Sequence, residues 1–220
     1  MKMLKKTTIV AIFIFAAISA QASIIINELM PKNVSYIMDD KLQYSGWAEL
    51  YNSGAEEVDI TNYFLSDREV KPTKWKFESS TPLVNEDDDP VDAHPLIIQP
   101  GQYLLVYLDE AESFTPLHAN FKLDTEDGAL FLADETGKII DVLKYDTTYR
   151  NMSIGRLTDG SDKIGVFAIP TPGKSNDGGE FLTKQTEQPS FSLKPGFYKG
   201  EQTLKITAKD KNAKIAQRSL

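Results

Sequence analysis

Apolar residues in this chain recur at every second position, and almost nowhere at every third or fourth. That period belongs to the pleated strand, whose side chains alternate between two faces. The segment 46–52 (GWAELYN) puts Ala48 and Leu50 on one face and Trp47, Glu49 and Tyr51 on the other. Further strands are expected within 23–29, 56–67, 73–78, 94–109 and 152–160. Pro100-Gly101 marks a turn, and the run 103–108 (YLLVYL) reads as a strand buried on both faces. The stretch 128–145 reads as two strands joined by a turn around Glu135-Thr136-Gly137. Nothing in 23–176 predicts a helix longer than about two turns. Seven or more short strands divided by Gly, Pro and Asp turns predict an all-β antiparallel sandwich or barrel.

The ends of the chain read differently. Lys2, Lys5 and Lys6 precede an apolar run from Thr8 to Ile18, and Ala20-Gln21-Ala22 forms a small-residue cleavage site. This is the pattern of a secretory signal peptide over 1–22, with a run too short to span a bilayer as a helix. Cleavage leaves residues 23–220 with no transmembrane segment expected. The 24 basic residues, less three leader lysines, then face 32 acidic ones, a net charge of −11. Such a chain lacks the basic footprint that nucleic acid requires, so nucleic acid is not an expected partner. Composition turns to Pro, Gly and polar residues at 170–189, which places a main domain at 23–176 and a linker at 177–188. Alternation returns in 189–220, with Phe191, Leu193, Leu204 and Ile206 on one face. This segment is too short to bury a core of its own and reads as an incomplete β module.

Catalytic chemistry finds little to work with. There is no cysteine, so the core must hold the fold without disulfides. The two histidines, His94 and His118, both read as loop residues beside no nucleophile motif. They also cannot supply the nitrogen and sulfur ligands of a zinc site. The acidic loops at 86–92 (Glu86, Asp87, Asp88, Asp89, Asp92) and 124–127 (Asp124, Glu126, Asp127) carry calcium-type ligands without an EF-hand pattern. They are read as solvated loops. Lys174 follows Gly173 as in a phosphate-binding loop, but Ala168 stands where that loop's first glycine belongs. Glu28 and Glu49 lie inside strands, as paired acids of a glycosidase could. A glutamate on the polar face of a half-exposed strand needs no function, and that is the reading taken for both. Trp47 and Tyr51 can shield the Glu49 stem, and its carboxylate can accept loop amides. No catalytic, metal-binding or cofactor-binding residue is therefore assigned.

An ordered set of motifs over 24–176 resembles bacterial lamin-tail-type domains. The set begins with Ile26-Asn27-Glu28-Leu29-Met30-Pro31 and Trp47-Ala48-Glu49-Leu50-Tyr51-Asn52. It continues through Val58 to Asp67, Lys74 to Phe77, Pro100 to Val106 and Ala119 to Leu123. It closes with Ser153 to Gly160 and Pro170 to Asn176. Ala48 stands where the family usually has Ile or Val. The resemblance implies an immunoglobulin-like sandwich without a recognised catalytic centre, found in bacteria as an accessory module of exported proteins. Residues 189–208 resemble the start of the small β-domain appended to chitobiase and hexosaminidase enzymes.

These readings lead to an exported, non-catalytic interaction or architectural module of the periplasm or cell surface, meeting protein partners or glycans. The alternatives are an accessory fragment of a larger hydrolase or CotH-like enzyme, and a carbohydrate-binding module using Trp47, Tyr51 or Trp75.

Overall fold

The computed structural model describes residues 24–79, 95–112, 117–182 and 189–209. The signal-peptide expectation, His94 and the acidic loop 86–92 lie outside these residues. In chain order the strands are β1 (Ile24–Met30), β2 (Gly46–Asn52), β3 (Val58–Asp59), β4 (Phe64–Ser66) and β5 (Trp75–Lys76). They continue as β6 (Ile97–Ile98), β7 (Tyr103–Leu108), β8 (His118–Ala119), β9 (Gly128–Ala133) and β10 (Ile139–Tyr145). The last four are β11 (Ser153–Arg156), β12 (Ile164–Phe167), β13 (Ser190–Phe191) and β14 (Ile206–Thr207). The described residues hold no helix. A six-stranded sheet has the order β12-β11-β1-β2-β7-β8, and a four-stranded sheet the order β10-β9-β4-β5. All pairings are antiparallel except β7 with β8.

The two sheets bury one core. Ile24, Ile26, Leu29, Ala48, Leu50 and Val106 meet Leu65, Leu130, Leu132 and Leu143 there. Ile26 and Leu29 are three positions apart, yet both face inward, because the register of β1 against β2 shifts between Ile26 and Glu28. Asn27 is the extra residue of this bulge. A bulge leaves backbone groups out of the ladder, and buried ones need other partners. Asp141 on β10 accepts the Ile26 N–H at 2.7 Å, and Arg156 Nε donates to the Ile26 carbonyl at 2.9 Å. Arg156 and Asp141 also pair with each other, Nη2 lying 2.8 and 2.9 Å from the two carboxylate oxygens. One ion pair thus repairs the bulge and ties the sheets together.

Several expectations are refined. The 128–145 hairpin forms as read, with Gly137 at φ 82° closing its turn. Strand β7 is not buried on both faces: Val106 and Leu108 are buried, but Tyr103, Leu104, Leu105 and Tyr107 are half-exposed. The ordered pairing also runs past 176. Ala168 N–H donates to Glu180 O, and Leu182 N–H to Val166 O, so 180–182 run beside β12. The 189–209 segment forms a two-stranded ribbon, Phe191 opposite Ile206. Phe191, Phe197, Leu204 and Ile206 remain exposed on it.

Candidate functional site

Glu28 and Glu49 stand directly opposite each other on β1 and β2, and both are 0 % exposed. They lie on the face turned away from the inter-sheet core, as alternation predicts for Glu49. The fold covers that face with a strap, residues 170–176, which follows β12 and contains the sequence PTPGKSN. Thr171 donates its N–H to both Glu28 oxygens, at 3.1 and 3.3 Å, and its hydroxyl lies 2.7 Å from Glu28 Oε2. Gly173 N–H donates to Glu49 Oε2 at 2.5 Å. The Ser153 hydroxyl donates to Glu28 Oε1. Asn176 is fully buried, and its Nδ2 donates to the carbonyls of Arg156 at 2.7 Å and Asn27 at 3.4 Å. The Tyr36 hydroxyl, from the β1–β2 loop, donates to the Pro170 carbonyl at 2.7 Å.

The face is crowded where the strap lies. A side chain at Gly155, opposite Glu28 on β11, would place its Cβ 2.8 Å from Asn27 O and 3.2 Å from Asn176 Nδ2. Only glycine fits.

Asp159, in the turn after β11, completes the junction. It accepts from Tyr103 and Ser175 hydroxyls at 2.5 Å each, from Asn176 N–H at 3.0 Å and from Asn27 Nδ2 at 2.9 Å. Burial alone would raise its pKa, but these donors outweigh burial and hold it below the usual carboxylate range. The glutamates behave in the opposite way. Burial pushes Glu49 up to about 8 against the opposing Gly173 hydrogen bond, and the Glu28 charge adds to the rise. Burial likewise raises Glu28 despite donors from Ser153 and Thr171. Among the described residues no lysine or arginine forms an ion pair with either glutamate. The strap and the sheet leave both carboxylates covered.

A second polar cluster was invisible in the sequence. His118 is not a solvated loop residue: it lies in β8, is 3 % exposed, and has a carboxylate at each ring nitrogen. Asp109 Oδ2 is 2.9 Å from Nδ1, and Asp40 Oδ1 is 2.9 Å from Nε2. Asp39 lies close by, so that ligand atoms of Asp39, Asp109 and His118 fall within 4.8 Å of one another. These are metal-ligand types that sequence reading did not assign. Most of their atoms already have protein partners. Asp39 accepts from Lys41 N–H, Gln43 N–H and the Ser45 hydroxyl, and Lys41 Nζ reaches Asp109 Oδ2 at 3.4 Å. The cluster ties the β1–β2 loop to β7 and β8.

The other candidates separate. Asp124 uses Oδ1 to accept the Glu126 N–H in an exposed turn. Trp47 is 0 % exposed and cannot stack on a sugar, which removes it from the carbohydrate reading. Tyr51 stacks on Tyr103 at 4.9 Å, and Trp75 meets the edge of Phe77 at 4.7 Å.

Two sheets packed as an immunoglobulin-like sandwich, with the β1 and β2 motifs at their centre, agree with comparison of the whole sequence. Residues 17–147 match the family described as Lamin Tail Domain. The chain belongs to this family. No curated protein matches it. The lamin tail match stops before β11, although β11 pairs with β1 in the middle of the large sheet. Ser153, Thr171 and Gly173, which donate to Glu28 and Glu49, therefore lie beyond the matched region, whereas Asn27, which reaches Glu49 at 3.5 Å, lies within it. Among the described residues no helix is long and apolar enough to cross a membrane.

Proposed function

We propose that this lamin tail protein is an exported, non-catalytic interaction module of the periplasm or cell surface. One observation carries the reading: its paired glutamates, the best candidates for acid–base work, are sealed under the strap and hydrogen-bonded by it. The leader pattern at 1–22 and the acidic mature charge support export as a soluble protein. Its partners are proteins or glycans met outside the cytoplasm. The exposed apolar side chains of the β13–β14 ribbon favour a second reading, an accessory piece working beside a larger secreted enzyme.

The test has two arms. Protein recovered from the exported fraction should begin at Ser23 when its N-terminus is sequenced. The purified mature chain should turn over no nucleic acid, phosphate ester or glycan, with or without added divalent metal. Turnover that disappears in Glu49→Gln would make the chain an enzyme and end the reading. Retention of the intact leader in the cytoplasm would end the export part alone.

A further inference from the structure

The hydrogen-bond geometry at the strap has more acceptors than donors. The Thr171 hydroxyl lies 2.7 Å from Glu28 Oε2 and 2.6 Å from Asn176 Oδ1. It has one proton and can donate to only one of them. The Asn176 amide cannot be reversed to help, because its Nδ2 already donates to two carbonyls. Both short contacts are satisfied when Glu28 carries a proton on Oε2 and donates it to Thr171, which then donates to Asn176. A similar shortage occurs at Asn27, which is fully buried and whose Oδ1 has no donor. The amide nitrogen of the same side chain is already engaged by two acids, Asp159 Oδ1 at 2.9 Å and Glu49 Oε1 at 3.5 Å. Two carboxylates facing each other across neighbouring strands, out of water and without a cation, are held apart by charge if both ionise.

We propose that the Glu28–Glu49 pair holds at least one proton, that this proton clamps the strap 170–176 to the outer face of the large sheet, and that the strap is a flap released when the pair loses it. The neighbouring groups agree. Asp159 adds negative charge from the β11–β12 turn. Tyr36, Tyr51 and Tyr103 face the junction from the β1–β2 loop, β2 and β7, and burial raises all three phenols, so they stay neutral while the pair titrates. Lys174, on the strap, forms no ion pair with the glutamates among the described residues, and Asp177 beside it is a further acidic group. Arg156 is turned to the opposite face, toward Asp141. Release would uncover the outer face around Glu28 and Glu49. The device is independent of what the protein binds.

Hydrogen exchange on the mature chain tests it. Protection factors, corrected for intrinsic base catalysis, are compared between pH 6 and pH 9.5. The Thr171 and Gly173 amides should lose about tenfold in protection or more, the change that goes with one unit of pKa difference. The amides of Leu130 and Leu132 should hold. In Glu49→Gln, which stays uncharged across this range and keeps a carbonyl oxygen for the Gly173 N–H, the strap amides should stay within about twofold. Should that variant not fold, Glu28→Gln serves for the same comparison. Strap protection unchanged with pH in the wild type would overturn the proposal. So would a loss shared equally by Leu130 and Leu132, since the whole sandwich would then be opening, or an undiminished loss in the folded glutamine variant.

Discussion

Strand β1 meets carboxylates on both of its faces, a part-buried one inside and a buried pair outside, and the two are handled in opposite ways. On the inner face Asp141 sits against the bulge with Arg156 as a bidentate partner, so its charge is neutralised where it stands. On the outer face Glu28 and Glu49 sit side by side with hydroxyl and amide donors but no cation. The inner site is a salt bridge whose members also satisfy a strand's displaced backbone groups. The outer site is an acid pair for which taking up a proton relieves both burial and mutual repulsion. The same strand therefore meets a carboxylate paired with a cation on one side and an acid pair without one on the other.

The largest effect should come from breaking the inner site. Arg156→Met leaves the largely covered Asp141 without its cation and the Ile26 carbonyl without its donor. A loss of about 3–5 kcal/mol is expected in urea unfolding, typical of a buried pair with one partner removed. A loss below about 1 kcal/mol would mean the inner pair is no more than a surface contact.

Next comes the outer pair. Because the folded state raises the Glu49 pKa to about 8, it binds more protons than the unfolded chain between about pH 4.5 and pH 8. Stability from this group is thus complete below the unfolded value and is lost as pH rises through the folded one. The slope is at most about 1.4 kcal/mol per pH unit. Glu49→Gln should flatten that slope and be more stable than wild type at pH 8.5, yet match it near pH 4.5. Chemical denaturation across this range reads both.

A Gly155→Ala substitution should cost about 1–3 kcal/mol, as overpacking does, because the neighbours its methyl would strike include the Asn27 carbonyl oxygen. The smallest effect is expected in the β1–β2 loop. Leu42 is 78 % exposed and has φ 59°, a conformation unfavourable to leucine and free for glycine. Leu42→Gly should raise stability slightly, by about 1 kcal/mol or less, through relief of that strain.

Much of this contrast was legible before the fold was known. The alternation in 46–52 put Glu49 on the face opposite Ala48 and Leu50, and there it lies. It also put Trp47 on the polar side, which is correct, but exposure could not be inferred: Trp47 is covered. A face is a local property, whereas its cover comes from elsewhere in the chain. The bulge at Asn27 was hidden because 23–29 is β-branched and apolar enough to read as an unbroken strand. Its signature is that Ile26 and Leu29 are three apart, and only the position of the core makes that meaningful. The strap and β11 donors to Glu28 and Glu49 lie 124 to 143 residues away, at Ser153, Thr171 and Gly173. Local periodicity carries no information over such distances. The motifs around Ser153–Arg156 and 170–176 were visible as motifs, and their use as donors to the first two was not. His118 was misplaced because β8 is two residues long and pairs in parallel with β7, too short a strand to show alternation.

The most direct measurement is a titration of the Glu28 and Glu49 side-chain carboxyl carbons by NMR in the folded mature chain. An outer pair sealed without a cation should show a step well above the ordinary glutamate range, near pH 8, tracked at Glu49 and felt at Glu28. Both carboxyls titrating together near pH 4.5 would contradict it, because the two faces of β1 would then hold their acids in the same way.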